Sequence, residues 1–319
     1  MRDLTTLPKA NLHLHLTGSM RPATLAELAA RAGLPVPDAI PAGAHGWEAF
    51  QSRYDLARAV LRTADDIARV VTEAAEDDAA CGAGWTELQV DPSSYAERLG
   101  GYEAVVETVL AAAGDRMGVI LAASWAAPPE HAIRTAKLAA RYAGRGVVGY
   151  GLSNDERRGR VEDFVPAFRV AAEAGLIAVP HGGFYEGAWH VRACVERLGA
   201  ARVGHGLTAY ADPATLELLA ERNVALELCP TSYPPLGVAE LAGLPVRKLL
   251  AAGVPVALGT DDPLLFGADL AGQYALARDH LALTDEELAA LARHSITASA
   301  APAERTKQLL ADVAAWLTR

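Results

Sequence analysis

The sequence has few cysteines, few aromatic residues and no long hydrophobic run. Its three cysteines, Cys81, Cys194 and Cys229, are far apart and odd in number, so their spacing indicates neither a disulfide framework nor a cysteine-based zinc site. No apolar stretch is long enough to span a membrane, and the first residues lack the apolar region of a signal peptide. We therefore expect a cytoplasmic protein in a reducing environment.

Positive charge is also scarce, because 29 Lys and Arg residues stand against 39 Asp and Glu residues and give a net charge of -10. This balance argues against nonspecific binding to nucleic acid or to an anionic membrane. The composition, with 51% hydrophobic and 21% charged residues, is that of a globular protein with a large core. We expect a small-molecule substrate and no nucleic-acid or membrane partner, with a homodimer as a possible assembly.

Short apolar segments alternate with amphipathic helical segments along the chain. This alternation is typical of a parallel sheet, and eight strand–helix units predict an α/β protein with a (β/α)8 (TIM) barrel and extra helices. Barrels of this length form one domain, so we expect a single domain over residues 1–319. Helical periodicity also predicts two helices within 47–81 and further helices within 285–317. The predicted strands are 12–16, 86–90, 118–122, 146–151, 176–179, 201–203, 224–228 and 254–258.

Two histidines lie one residue apart in the first predicted strand. Because successive side chains of a strand point to opposite faces, His13 and His15 lie on the same side. Neutral imidazole is the commonest metal ligand, so the pair suits a metal site. Two core histidines bonded to backbone carbonyls would give the same pattern, and this segment alone leaves both interpretations open.

Further polar side chains follow later strands, namely His181, His205, Asp261 and Asp262. In a (β/α)8 barrel the carboxyl ends of the strands form the active-site face, so these side chains should meet there. Three histidines and one aspartate would make a nitrogen and oxygen site suited to zinc. A metal lowers the pKa of a water molecule toward about 7, and Asp261 and His205 could then accept its proton. Taken singly, each residue could be structural, for example Asp261 as a helix cap.

Four segments resemble the motifs of the adenosine deaminase family: PKANLHLHLTGS at 8–19, RVGHG at 202–206, CPTS at 229–232 and GTDDP at 259–263. The resemblance extends from about residue 7 to residue 310. It implies a zinc-dependent (β/α)8 enzyme of the amidohydrolase superfamily with one zinc ion per chain. The implied ligands are His13, His15, His181 and Asp261. The resemblance also implies that His205 orients the attacking water and that Asp262 contacts the substrate ring.

One departure from the family motif affects the chemistry directly. The family has His-Ala-Gly-Glu, whose glutamate protonates the purine ring, whereas this chain has His181-Gly182-Gly183-Phe184. A phenyl ring donates no proton, and general acid catalysis is worth about 10²–10⁴-fold in rate. Glu186 is the nearest carboxylate and could take over this role, or it could be a first-turn helix residue favoured by the helix dipole.

The substrate-recognition positions differ as well. Thr17 stands where the family has an acidic residue that meets the sugar, and Asn154 stands where a glycine approaches the purine. Gly183 and Phe184 complete the expected substrate contacts. We therefore predict a zinc-dependent hydrolase that deaminates a purine nucleoside or a related amine-bearing heterocycle. Two alternatives stay open: hydrolysis of another C–N bond in a specialised pathway, and a ligand-binding descendant with little deaminase activity.

Overall fold

Eight parallel strands follow one another around a barrel in the order of the sequence. The computed structural model describes residues 2–38, 40, 43 and 45–318. Backbone bonds bring the first strand back to the segment after the last one: the His13 carbonyl accepts from Asp261 N at 2.9 Å, and His15 N donates to the Asp261 carbonyl at 3.1 Å. The predicted (β/α)8 barrel is therefore confirmed. The strands are β1 (Lys9–His15), β2 (Ala83–Val90), β3 (Met117–Ser124), β4 (Val147–Ser153), β5 (Ile177–Gly182), β6 (Arg202–His205), β7 (Ala225–Leu228) and β8 (Val256–Leu258).

The strands form where continuous apolar runs can be buried on both faces, as in β3, where seven of the eight residues are buried. The predicted strands agree with the observed ones apart from their ends. β5 continues beyond the predicted residue 179, because His181 and Gly182 pair with Gly204 and His205 of β6. This extension carries His181 into the sheet rather than into a loop.

Fourteen helices lie within the described residues, and most of them cover the outside of the barrel. Capping explains several of the helix starts: Thr63 and Thr284 each form a capping box, and prolines open α1, α6 and α9. The helices are α1 (Pro22–Ala32), α2 (Gly46–Ala59), α3 (Ala64–Ala80), α4 (Ser93–Leu99), α5 (Tyr102–Ala113), α6 (Pro129–Arg141), α7 (Val161–Glu173), α8 (Ala188–Leu198), α9 (Pro213–Glu221), α10 (Val246–Ala251), α11 (Pro263–Phe266), α12 (Leu270–His280), α13 (Asp285–Ala298) and α14 (Ala303–Thr318). The two helices expected within 47–81 are α2 and α3.

A buried lysine fixes the amino-terminal end of β1. Nζ of Lys9 donates to the carbonyl oxygens of Leu4, Leu7 and Cys81 at 2.9, 2.7 and 2.6 Å. These bonds tie β1 to the segment before it and to the end of α3. Within the part of the chain described here, no helix has both the length and the apolar character needed to cross a bilayer. That residues 1–319 form one domain stays a prediction.

Candidate active site

The carboxyl ends of β1, β5 and β6 and the segment after β8 bring histidines and aspartates together. Nitrogen atoms of His13, His15 and His181 all lie within 4.8 Å of one another. Nε2 of His15 is 3.3 Å from Nε2 of His181, and Oδ1 of Asp261 is 3.4 Å from Nε2 of His15 and 3.6 Å from Nε2 of His13. Three nitrogen atoms and one oxygen atom therefore surround one small space, as a metal ion requires.

Hydrogen bonds on the far side of two rings determine which nitrogen faces this space. Nδ1 of His13 donates to Oε2 of Glu227 at 2.9 Å, and Nδ1 of His181 donates to the Leu152 carbonyl at 2.6 Å. Each bond leaves the Nε2 lone pair directed toward the other ligand atoms. Nε2 of His13 is buried and makes no hydrogen bond, which is costly unless another group binds there. This orphaned nitrogen fits a metal ligand.

A fourth histidine and a cysteine lie beside these atoms. His205, Cys229 and Asp261 also group around His13 at ligand-like separations. Burial raises the pKa of the Cys229 thiol well above its usual value, and the thiol donates to the Glu227 carbonyl oxygen at 3.7 Å. Burial also lowers the pKa of His205 to about 3, which leaves its imidazole neutral in the metal-free site.

The two adjacent aspartates differ in protonation. Although burial opposes ionisation, His13 and His15 hold the pKa of Asp261 well below its usual value. Burial and then the neighbouring charge of Asp261 raise the pKa of Asp262 well above its usual value. Of the two, Asp262 therefore holds a proton more readily, and a protonated carboxyl group can donate a hydrogen bond. Burial opposes the charged form of His13, but Asp261 and Glu227 raise its pKa to about 9, so a metal ion bound there would displace a proton from Nε2.

The backbone turns sharply where these side chains leave the strands. His205 and Asp261 have left-handed φ angles of 64° and 57°, which are uncommon for residues with a side chain. Gly18 provides the room for Asp262, because a Cβ at residue 18 would lie 1.8 Å from Oδ1 of Asp262. The close approach explains why a glycine is required at this point of the loop after β1.

A cavity of about 910 Å³, including the solvent at its mouth, opens above the ligand atoms. His15, His181, His205, Asp261 and Asp262 form its polar floor. Its walls are largely aromatic, and α2 supplies part of them. The aromatic lining residues are Trp47, Phe50, Tyr54, Tyr95, Phe184 and Tyr185.

Phe184 occupies the position where the family motif has its acid. Its ring is buried, with the ring centroid 4.5 Å from that of His205 and 5.7 Å from that of Tyr233. The main chain here is held by Glu156, whose Oε1 accepts from the backbone N–H groups of residues 184, 185 and 186 at 2.8, 2.7 and 2.6 Å. A phenyl ring therefore lines the floor at a position that the backbone fixes.

The other substrate-contact candidates fall into two groups. Asn154 lines the cavity with a left-handed φ of 75°, a conformation that asparagine tolerates better than most residues. Thr17, Gly183 and Glu186 are not among the lining residues. Oγ1 of Thr17 is buried against the Tyr95 hydroxyl at 2.7 Å, and a Cβ at Gly183 would lie 2.3 Å from Val191. Glu186 is half-buried, and its backbone N–H and carbonyl are engaged by Glu156 and Thr208.

Sequence reasoning missed the charged residues inside the barrel. Glu87, Arg202 and Glu227 are each at most 1% exposed, and Glu156 is 2% exposed. A charged residue in an otherwise apolar, buried strand needs a partner, so the segments TELQV and ALEL contained this signal. The aromatic residues of α2 carry no such signal, because their helical spacing suits simple packing equally well.

Comparisons with known proteins identify the family of this chain. The adenosine deaminase family profile matches residues 8–316. A Streptomyces virginiae protein with the provisional name adenosine/adenine deaminase is 52% identical over 99% of this chain and 98% of its own length. The crystal structure of adenine deaminase from Arthrobacter aurescens has a TM-score of 0.88 at 27% identity, covering 98% and 99% of the two chains. An amidohydrolase from Burkholderia ambifaria with bound Zn has a TM-score of 0.83 at 25% identity, covering 99% of this chain and 91% of its own.

The family profile and a relative with 52% sequence identity both span almost the whole chain. The protein therefore belongs to the adenosine deaminase family.

Proposed function

We propose that the protein is a zinc-dependent aminohydrolase that deaminates a purine nucleoside or a related amine-bearing heterocycle. The observation that carries this proposal is the convergence of His13, His15, His181 and Asp261 on one small space at the floor of the cavity. Three imidazoles and a carboxylate suit zinc, and a related amidohydrolase binds Zn. One zinc ion per chain and a cytoplasmic location are part of the proposal.

The charges buried around the site support a bound cation. Asp261, Glu227 and Glu87 are buried acids, whereas Arg202 is the guanidinium that pairs with two of them. Because unpaired buried charge is costly, this excess of acidic groups favours a positive charge beside Asp261, which a metal ion would supply.

The residues around the cavity suit hydrolytic deamination. A zinc ion held by the three histidines and Asp261 would supply a water nucleophile at neutral pH, since zinc lowers the pKa of bound water to about 7. Nε2 of His205 lies 3.9 Å from Oδ2 of Asp261, and this pair would take a proton from the water as its oxygen attacks the amine-bearing carbon. The same proton would pass to the departing nitrogen as the C–N bond breaks, so that the products are ammonia and the oxo-heterocycle. Asp262, when protonated, would donate a hydrogen bond to a ring nitrogen.

A phenyl ring takes the place of the glutamate that protonates the purine ring in the family motif. Phe184 donates no proton, and Glu186 does not line the cavity. Glu156 lines the cavity, but its Oε1 accepts from three backbone N–H groups and its Oε2 lies 3.5 Å from Nδ1 of His190. We propose that the preferred substrate is a ring electrophilic enough to react without an acid beside residue 184. Hydrolysis of another C–N bond is the second candidate, and the same phenyl ring favours it.

Metal analysis combined with an ammonia-release assay tests the proposal. We expect about one zinc ion per purified chain. His13→Ala and Asp261→Ala should each lose the metal and the activity together, whereas the exposed His280 at the end of α12 offers a matched control, His280→Ala, that keeps both. Retention of metal by both site variants would refute the assignment. A panel of adenine, adenosine and N-substituted purines identifies the substrate class, with released ammonia measured for the first two and the released amine for the substituted purines. Release of neither product from the whole panel would favour the second candidate.

A further inference from the structure

A buried chain of charged groups leads from His13 to the opposite end of the barrel. Oε2 of Glu227 accepts from Nδ1 of His13 at 2.9 Å, and Oε1 accepts from Nε of Arg202 at 2.6 Å. Arg202 uses its two remaining nitrogens on Oε2 of Glu87 and, at 2.8 Å, on the Ala298 carbonyl. Each of the three guanidinium nitrogens therefore has a partner.

Glu87, at the far end of this series of charged groups, is held by residues outside the barrel. Oε1 of Glu87 accepts from Ala300 N at 2.6 Å and from Nε1 of Trp85 at 3.1 Å. Ala298 ends α13, and Ala300 lies in the short connection to α14. The carboxyl-terminal helices thus contribute two backbone groups to the support of a candidate metal ligand.

Arg202 itself reaches neither the cavity nor the candidate ligand atoms, since it does not line the cavity and contacts His13 only through Glu227. A glutamate held by one oxygen alone can rotate about its terminal torsion. The planar guanidinium removes that freedom by holding the second oxygen in a fixed geometry. The orientation of the His13 ring and the nitrogen that carries its proton then follow from Glu227.

We infer that Arg202 is a positioning residue for metal binding: through Glu227 it holds His13 with Nε2 facing the metal space, and through Glu87 it anchors this arrangement to the connection between α13 and α14. The inference rests on the proposed metal-dependent function. It predicts that metal affinity depends on a side chain that touches neither metal nor substrate.

Arg202→Lys tests the inference, because lysine keeps the charge but cannot bridge Glu87 and Glu227 in a fixed geometry. We expect the zinc dissociation constant, measured by competition with a chromogenic chelator, to rise about 10–100-fold. The visible spectrum of the Co²⁺-substituted protein should also change, because the d–d absorption bands of Co²⁺ depend on the orientation of its ligands, His13 among them. An unchanged dissociation constant together with an unchanged Co²⁺ spectrum would overturn the inference.

Lys9→Met is the matched control. Lys9, in β1, is fully buried like Arg202, but its hydrogen bonds go only to backbone carbonyls. The substitution should lower the melting temperature of the metal-free protein and leave zinc affinity unchanged. An equal loss of zinc affinity in Lys9→Met and Arg202→Lys would show that Arg202 acts only through overall stability, which would also overturn the inference.

Two further measurements keep the outcomes distinct. If Arg202→Lys does not fold, Glu87→Gln tests the same link, because it keeps the shape and removes the charge that holds the outer side of Arg202. Unchanged zinc affinity in folded Glu87→Gln would then refute the inference. Absence of divalent metal from the wild-type protein, even after incubation with Zn²⁺, would refute the proposed function and the inference with it.

Discussion

Replacing Phe184 by glutamate should create or raise adenosine deamination. The substitution returns a carboxyl group to the cavity floor beside His205, where the phenyl ring now lies with the ring centroids 4.5 Å apart. Glu156 fixes the main chain at residue 184 by three hydrogen bonds to residues 184–186, so the new side chain starts from the same backbone. Because a well-placed general acid is worth about 10²–10⁴-fold, we expect a gain of that order in kcat/KM for adenosine.

The same substitution should lower stability. The Phe184 ring lies next to three aromatic rings, those of His205, Tyr185 and Tyr233, at centroid distances of 4.5, 4.8 and 5.7 Å. At about 0.5–1.5 kcal/mol for each aromatic pair, their loss should cost roughly 2–4 kcal/mol of the free energy of unfolding. Chemical denaturation measures this cost, and activity should be assayed well below the melting temperature of the variant.

Adenosine turnover is followed by the change in purine absorbance and checked by ammonia release. Phe184→Gln is the matched control, because it removes the same aromatic contacts and adds a polar group without an acidic proton. We expect Phe184→Glu to exceed both the wild type and Phe184→Gln. If Phe184→Glu binds adenosine measurably, for example as a competitive ligand, yet shows no gain over Phe184→Gln, the ring must lie in another orientation and the reasoning is refuted.

Two other predictions concern Glu186 and Lys9. Glu186→Gln should change kcat less than about twofold on the best substrate, because Glu186 does not line the cavity; a loss of about 10²-fold or more, the range for a general acid, would make Glu186 the missing acid. Burial lowers the pKa of Lys9 to about 8 in the folded protein, whereas a lysine in the unfolded chain has a pKa of about 10.4. Between these two pH values the unfolded chain binds more protons than the folded one. The free energy of unfolding therefore rises with pH in this range. Relative to Lys9→Met, the free energy of unfolding of the metal-free wild type should therefore increase by up to about 3 kcal/mol between pH 7.5 and pH 10, as urea denaturation can measure; a constant difference would contradict the shifted pKa.

The barrel could be predicted because its signals are local. Each strand is an apolar run and each following helix shows amphipathic spacing, so β3 and α6 are visible without any knowledge of their neighbours. The convergence of His13, His181 and Asp261 follows from the barrel, since it depends only on which end of each strand carries the polar residue.

The support of the site could not be predicted in the same way. The bond between Arg202 and Glu87 joins residues 115 positions apart. Which carboxylates the planar guanidinium of Arg202 contacts depends on the folded geometry, and the spacing of residues in the sequence does not reveal it. The left-handed backbone at His205 and Asp261 is likewise not visible in the sequence, because histidine and aspartate have negative φ angles far more often than positive ones. The role of Glu186 depends on where one loop directs its side chain, and the sequence left two alternatives open for that reason.

The three hydrogen bonds that Glu156 accepts from residues 184–186 have a consequence for how this protein can evolve. Because the three hydrogen bonds go to main-chain N–H groups, they are indifferent to which side chain residue 184 carries. Position 184 can therefore carry either a glutamate or a phenylalanine while the path of the loop is retained. We expect that a substitution at this one position changes which substrates the site can deaminate. A saturation library at this one position, screened against a panel of amine-bearing heterocycles, would sample that range directly.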